Sequence, residues 1–134
     1  MRVFLDTNVL VSAFASRGLC ADLFEIVLLE HDLLVGKNGL RELVQALRRK
    51  VKLPAVVADD ILKFVSGDAA AVVTEPATIA AKVDPEDALV LGEALAVAAD
   101  VFVTGDVALL RLGSLGKLRI ASPREFWEIL HAEK

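Results

Sequence analysis

Twice in this chain a short apolar, β-prone run stops at an aspartate and hands over to a helix-like segment: "RVFL" before Asp6, Thr7 and Asn8, and "VFV" before Thr104, Gly105 and Asp106. A buried strand has no place for a carboxylate along its length, so each aspartate marks a strand end and the turn that follows it. Further strand-like runs stand at 33–35, 71–73 and 118–121, with stretches of helical spacing between them. Strands that alternate with helices build parallel sheets, because a parallel neighbour needs a crossover long enough to hold a helix. The pattern predicts an α/β chain with a mainly parallel sheet of about five strands, at 2–5, 33–35, 71–73, 101–104 and 118–121.

The 134 residues are 55% hydrophobic and have a mean hydropathy of +0.56, which fits one domain over 1–134 with a sizeable core. Cys20 is the only cysteine, and His31 and His131 are the only histidines. Neither an intramolecular disulfide nor a His/Cys zinc site can be built from that set, and a reducing, cytoplasmic setting is expected. The sequence opens without a basic and apolar leader, and its apolar stretch from Ala88 to Val103 is broken by Glu93 and Asp100. Membrane insertion is therefore not expected. The net charge of −4 argues against a generally basic nucleic-acid binder, yet "RELVQALRRKVK" gathers Arg41, Arg48, Arg49, Lys50 and Lys52. Such a cluster suits either a phosphate-facing surface or a helix C-terminus, where cations are favoured in any case.

Two helix starts carry clear signals. Ser122 followed by Pro123 and Glu125 reads as a capping box, and "DPED" puts Asp84 at the cap with Pro85 in the first turn. Helices starting near Ala21, Asn38 and Pro54 follow from periodicity. In the "DPED" helix Asp87 is aligned with Leu91, Ala94 and Ala98, so a carboxylate stands where the apolar stripe predicts a leucine. It either caps its own helix or is met by a partner, since an unpaired buried carboxylate is costly. In an open parallel sheet the residues beyond the strand ends converge on one crevice. Asp6, Asp87 and Asp106 could meet there, and clustered carboxylates are ordinarily compensated by a hard divalent cation, Mg²⁺ or Mn²⁺.

"FLDTNVLVSA", "ELVQALRRK", "DPEDALVLGEALAVAADVFVTGD" and "SPREFWEIL", taken in that order, resemble PIN-domain proteins, in particular their VapC-type, toxin-like branch. The resemblance runs through nearly the whole chain. It implies a three-layer α/β/α sandwich, a metal-dependent ribonuclease activity, a homodimer and, for the toxin branch, an antitoxin partner. Matched residue by residue, it implies an acidic quartet of Asp6, Glu42, Asp87 and Asp106 as catalytic and metal-holding residues, with Thr7, Asn8 and Thr104 as polar supports. Asp84 is an added acid near the site or only a cap. Glu42 comes from the resemblance alone: on a helix from about Asn38 the apolar stripe is Leu40, Leu43, Val44, Leu47 and Val51, and Glu42 lies opposite, where a solvated glutamate would also lie.

On this reading the chain hydrolyses phosphodiester bonds in RNA, and Arg48 and Arg49 grip the substrate backbone. The sequence has no tyrosine and few aromatics, so a base-stacking platform is not expected. A receiver-type phosphoacceptor domain, which also gathers aspartates around Mg²⁺, is the alternative from another class, although its strand-end lysine is missing: Lys117 precedes a strand. A non-catalytic PIN binding module is the third reading. No GxGxxG or P-loop spacing is present, and Cys20 and Ser12 have no histidine near them in sequence to activate them as nucleophiles.

Overall fold

Residues 1–132 are described by the structure, a computed structural model; Glu133 and Lys134, the end of the expected 1–134 domain, lie outside them. The apolar runs form strands β1 (Arg2–Leu5), β2 (Asp32–Gly36), β3 (Ala71–Val73), β4 (Val101–Val103) and β6 (Leu118–Ala121), with a two-residue β5 (Ser114–Leu115). Helices α1 (Thr7–Ala15), α2 (Leu19–Glu30), α3 (Lys37–Arg49), α4 (Ala55–Asp68), α5 (Pro85–Ala96), α6 (Val107–Leu110) and α7 (Pro123–Ala132) stand between and after them. The sheet runs β3-β2-β1-β4-β6-β5 and is parallel except for the β5–β6 pair.

The sheet therefore has six strands rather than five. The added strand pairs Ser114 with Arg119 and Leu115 with Leu118 across a turn at Gly116, whose φ of 61° suits glycine. Thr104, expected as the last residue of its strand, stands just past the end of β4. The order also differs from the 2-1-3-4-5 of flavodoxin-like receiver domains, which removes that alternative on topology.

Period-two alternation distributes the strands' side chains over two cores. Val3, Leu5, Leu33, Val35, Val101 and Val103 face one layer, where they pack with Val9, Leu23, Leu43, Leu47, Val65 and Phe126 from the helices. Phe4, Leu34 and Phe102 face the other, beneath Val90, Leu91 and Ala94 of α5 and Leu109 of α6. Phe4 and Phe102 stack there with ring centroids 5.5 Å apart. Helices on both faces of a mostly parallel sheet give the expected α/β/α sandwich. The capping box forms as expected: Ser122 Oγ accepts from the Glu125 amide and Glu125 Oε1 from the Ser122 amide, both at 3.1 Å.

Candidate functional site

β1 is central, with β2 on one side and β4 on the other, so the chain reverses its direction of travel across the sheet at β1 and β4. Connections leave the strand ends in opposite directions at such a point and open a crevice. Asp6 follows β1 and Thr104–Asp106 follow β4 at that crevice. The Asp6 amide donates to the Val103 carbonyl at 2.9 Å, which fixes the first turn of α1 against β4.

Asp6 is 9% exposed and its two oxygens have separate tasks. Oδ1 caps α1 by accepting from the Thr7 amide at 2.8 Å, while Oδ2 accepts from Thr104 Oγ1 at 2.6 Å and Asn8 Nδ2 at 3.2 Å. Thr104 Oγ1 also accepts from the Asp106 amide at 3.0 Å. Asp106 in turn caps α6, with Oδ1 accepting from the amides of Ala108 and Leu109. Both strand-end aspartates are thus helix caps and cleft residues at once. Glu42 joins them through Thr7, whose hydroxyl donates to Glu42 Oε2 at 3.2 Å.

Asp6, Glu42, Asp87 and Asp106 line one cavity of about 630 Å³, together with Thr7, Asn8, Arg49, Lys50 and a fifth acid, Glu86, that the sequence pattern does not mark. The position of Glu42 opposite the apolar stripe is explained by this cavity: it faces water inside a cleft. Asp87 is half-buried there rather than packed among leucines. Burial raises the pKa of Asp6, with the charges of Glu42 and Asp106 adding to it against the hydrogen bonds from Thr104 and Thr7. Asp87 is raised by burial and then by the charges of Asp106, Asp6, Asp84 and Glu86. At Asp6 and Asp87 the charged form is therefore disfavoured unless a cation meets it.

Among the described residues no three Asp, Glu, His or Cys side chains are gathered tightly enough to ligate one ion together. Five carboxylates ring a roomy cavity instead, and their all-oxygen, anionic donor set fits a hard divalent ion that keeps several of its waters.

Some expected roles are placed differently. Asp84 stands at the cap position of α5 but its side chain makes no capping bond; only its carbonyl accepts, from the Ala88 amide at 2.9 Å. Its side chain is exposed and outside the cavity lining, and it reaches the site only as a charge near Asp87. Arg48 is exposed on α3 away from the cavity lining, whereas Arg49 and Lys50 line it. Thr104 is fully buried beneath the cavity and acts through Asp6. Lys50 belongs to the site as well as to the basic cluster in which the sequence places it, and Glu93, in sequence only a break in an apolar run, is buried. Its signal was present: a glutamate between Gly92 and Ala94 on the buried stripe of α5.

No protein of curated function is similar enough in sequence to match the chain. Among solved structures, a chain in the crystal structure of VapBC2 from Rickettsia felis bound to a DNA fragment from their promoter is similar, with a TM-score of 0.64 at 14% identity over 91% of this chain and 98% of that one. At that identity the likeness speaks for the fold. The sequence profile of the PIN domain matches residues 2–108, a span that holds Asp6, Glu42, Asp87 and Asp106, and the chain belongs to the PIN-domain family.

Proposed function

We propose that this chain is an endoribonuclease that uses Mg²⁺ or Mn²⁺ to hydrolyse phosphodiester bonds in RNA, and that it is the toxin of a toxin–antitoxin pair. The observation that carries the reading is the single cavity in which Asp6, Glu42, Asp87 and Asp106 meet beside Arg49 and Lys50, in a chain of the PIN-domain family. Asp6, Asp87 and Asp106 would hold the cation, in part through waters that it keeps, and Glu42 would hold it in the same way or orient the attacking water. The chemistry that a divalent cation held by these carboxylates would supply is reversal of the local negative field, polarisation of the scissile phosphoryl group and activation of water. Thr104 and Asn8 keep the Asp6 carboxylate in one rotamer, and Thr7 does the same for Glu42. Arg49 and Lys50 attract the RNA backbone at the rim, with Arg48 reinforcing the field from outside the cavity.

The partner proposal rests on the VapBC2 likeness and on an apolar surface: Phe64 of α4 is 42% exposed and packs against Phe14 and Phe24 at 6.3 and 6.0 Å between ring centroids, with Val56 and Val57 exposed on the same helix. An antitoxin segment would cover it. Leu89 of α5 and Val107 of α6 are exposed on the other face of the sheet, and a homodimer is proposed as their cover, to be read by sedimentation. No described helix is long and apolar enough to cross a membrane; action on RNA in the cytoplasm, by one domain over 1–134, completes the proposal.

The test is one labelled-RNA assay with Mn²⁺, with EDTA, and with Asp6→Asn and Asp106→Asn. Endonucleolytic cleavage should disappear under all three losses. Cleavage that survives both EDTA and Asp6→Asn would overturn the mechanism.

A further inference from the structure

Among the described residues two carboxylates are buried: Asp6 in the cleft, and Glu93 behind it. Glu93 is 0% exposed, on the face of α5 that covers the sheet. Its Oε2 accepts from the Asn38 amide at 3.0 Å and from Asn38 Nδ2 at 3.4 Å, and the Gly39 amide adds to the stabilisation of its charge. These donors are the first turn of α3. That helix has no cap of its own, since Gly36 at the cap position has no side chain and the first turn holds no acid. The carboxylate of α5 thus serves as the missing cap, meeting N–H groups that would otherwise have no partner. Gly36 is shaped to it: a Cβ there would collide with the Glu93 carboxyl.

The fixed turn leads directly to the cavity. The Thr7 hydroxyl stands between the Gly39 carbonyl, at 3.3 Å, and Glu42 Oε2, one turn further along α3 at 3.2 Å, and shares its one proton between the two acceptors. Glu93 Oε1 has no hydrogen-bond partner, so burying this carboxylate carries a desolvation cost that only its Oε2 contacts offset. What the carboxylate adds is its hold on α3.

We infer that Glu93 is a positioning residue of the cation site, setting the first turn of α3 and through it the carboxylate of Glu42. The inference rests on the reading of Glu42 as part of that site. It predicts energetic coupling between two residues that do not share a hydrogen bond.

The experiment is a Mn²⁺ titration of the full chain by calorimetry, for the wild type, Glu42→Gln, Glu93→Gln and the double variant, each checked for a cooperative thermal transition. Glu93→Gln should weaken Mn²⁺ binding about tenfold, the scale of lost support behind a metal ligand, and should add almost nothing in the Glu42→Gln background. A residue that merely stabilised the fold would lower the melting temperature and leave Mn²⁺ affinity alone. If Glu93→Gln does not fold, Asn38→Ala removes one donor at the half-buried end of the same contact and should give a smaller loss, again absent without Glu42. Unchanged affinity in Glu93→Gln, or losses that add in the double variant, would overturn the positioning role while leaving the cation site standing. If Glu42→Gln itself binds Mn²⁺ as the wild type does, Glu42 leaves the site and the positioning role falls with it.

Discussion

Asp6 and Glu93 are both buried carboxylates at the start of a helix, yet they face opposite situations. Asp6 looks into a cavity with four other acids, and its Oδ2 is held by side chains, Thr104 and Asn8, that shape it for something outside the protein. Glu93 looks only at the protein, and its Oε2 is held by α3. Burial raises the pKa of each and the Glu42 charge adds to it at both; what acts against it is the Thr104 hydroxyl and the Thr7 amide at Asp6, and the Asn38 and Gly39 donors of α3 at Glu93. A buried acid is therefore not by itself a sign of chemistry: the direction in which its oxygens point separates a residue that binds from one that builds.

The largest effect that separates them should be on catalysis. Asp6→Asn keeps the size of the side chain and removes its charge, and RNA cleavage should fall by on the order of 10³-fold. The paired variant Asp6→Asn/Asp106→Asn should add little, because ligands of one cation act as a unit. Glu93→Gln should lose far less. Equal losses in Asp6→Asn and Glu93→Gln, measured in single-turnover assays, would erase the distinction.

Stability should show the reverse ranking. Gly36→Ala drives a methyl group into the Glu93 carboxyl, and Gly92→Ala, beside it in sequence, drives one into the Ala77 carbonyl. Each should cost about 2–3 kcal/mol in urea unfolding, the scale of overpacking in a closed interior. Gly39→Ala is the control, since its nearest neighbour would be Thr7 Oγ1 at 3.5 Å. That variant should be neutral or slightly more stable, as alanine is the better helix former.

Thr104→Val tests the other side of the comparison. It removes the 2.6 Å bond to Asp6 Oδ2 and the acceptor of the Asp106 amide while filling the same volume. Mn²⁺ affinity should drop about tenfold by calorimetry, as expected when the partner that orients a ligand is lost. An unchanged affinity would mean that Asp6 needs no support from β4.

What could be read from the sequence divides along the same line. Asp6 and Asp106 were legible because a strand must end where a carboxylate begins, and the parallel order then brings two strand ends together. Ser122 and Glu125 were legible because a capping box is local. Glu42 could not be told from a surface residue by periodicity, because water in a cleft and water outside leave the same pattern on a helix; only the family resemblance named it. Asp84 has the sequence of a cap and the place of one, but its side chain turns away, a choice made by its surroundings. The β5 strand is two residues long and exists through its partner across the Gly116 turn. Glu93 was out of reach for the strongest reason: its donors belong to α3, more than fifty positions earlier, and nothing beside it in sequence announces them.

The smallest effect is the one that pH should expose at Asp87. Its pKa is raised above the ordinary 3.8, first by burial and then by Asp106, Asp6, Asp84 and Glu86. The folded, cation-free chain therefore binds a proton more readily than the unfolded one between 3.8 and the raised value, and stability declines as pH rises through that window. Above the raised value the full penalty is present; below 3.8 it is gone. Asp87→Asn carries no such charge, so in EDTA at about pH 7 it should melt above the wild type, and the gap should close as pH falls towards 3.8. Excess Mn²⁺ should invert the ranking at neutral pH, because the cation stabilises the wild type by binding its folded state and the variant binds it less well. A wild type that melts above Asp87→Asn in EDTA at neutral pH would show that Asp87 is satisfied within the protein, as Glu93 is by α3, and would move it from the binding class to the building one.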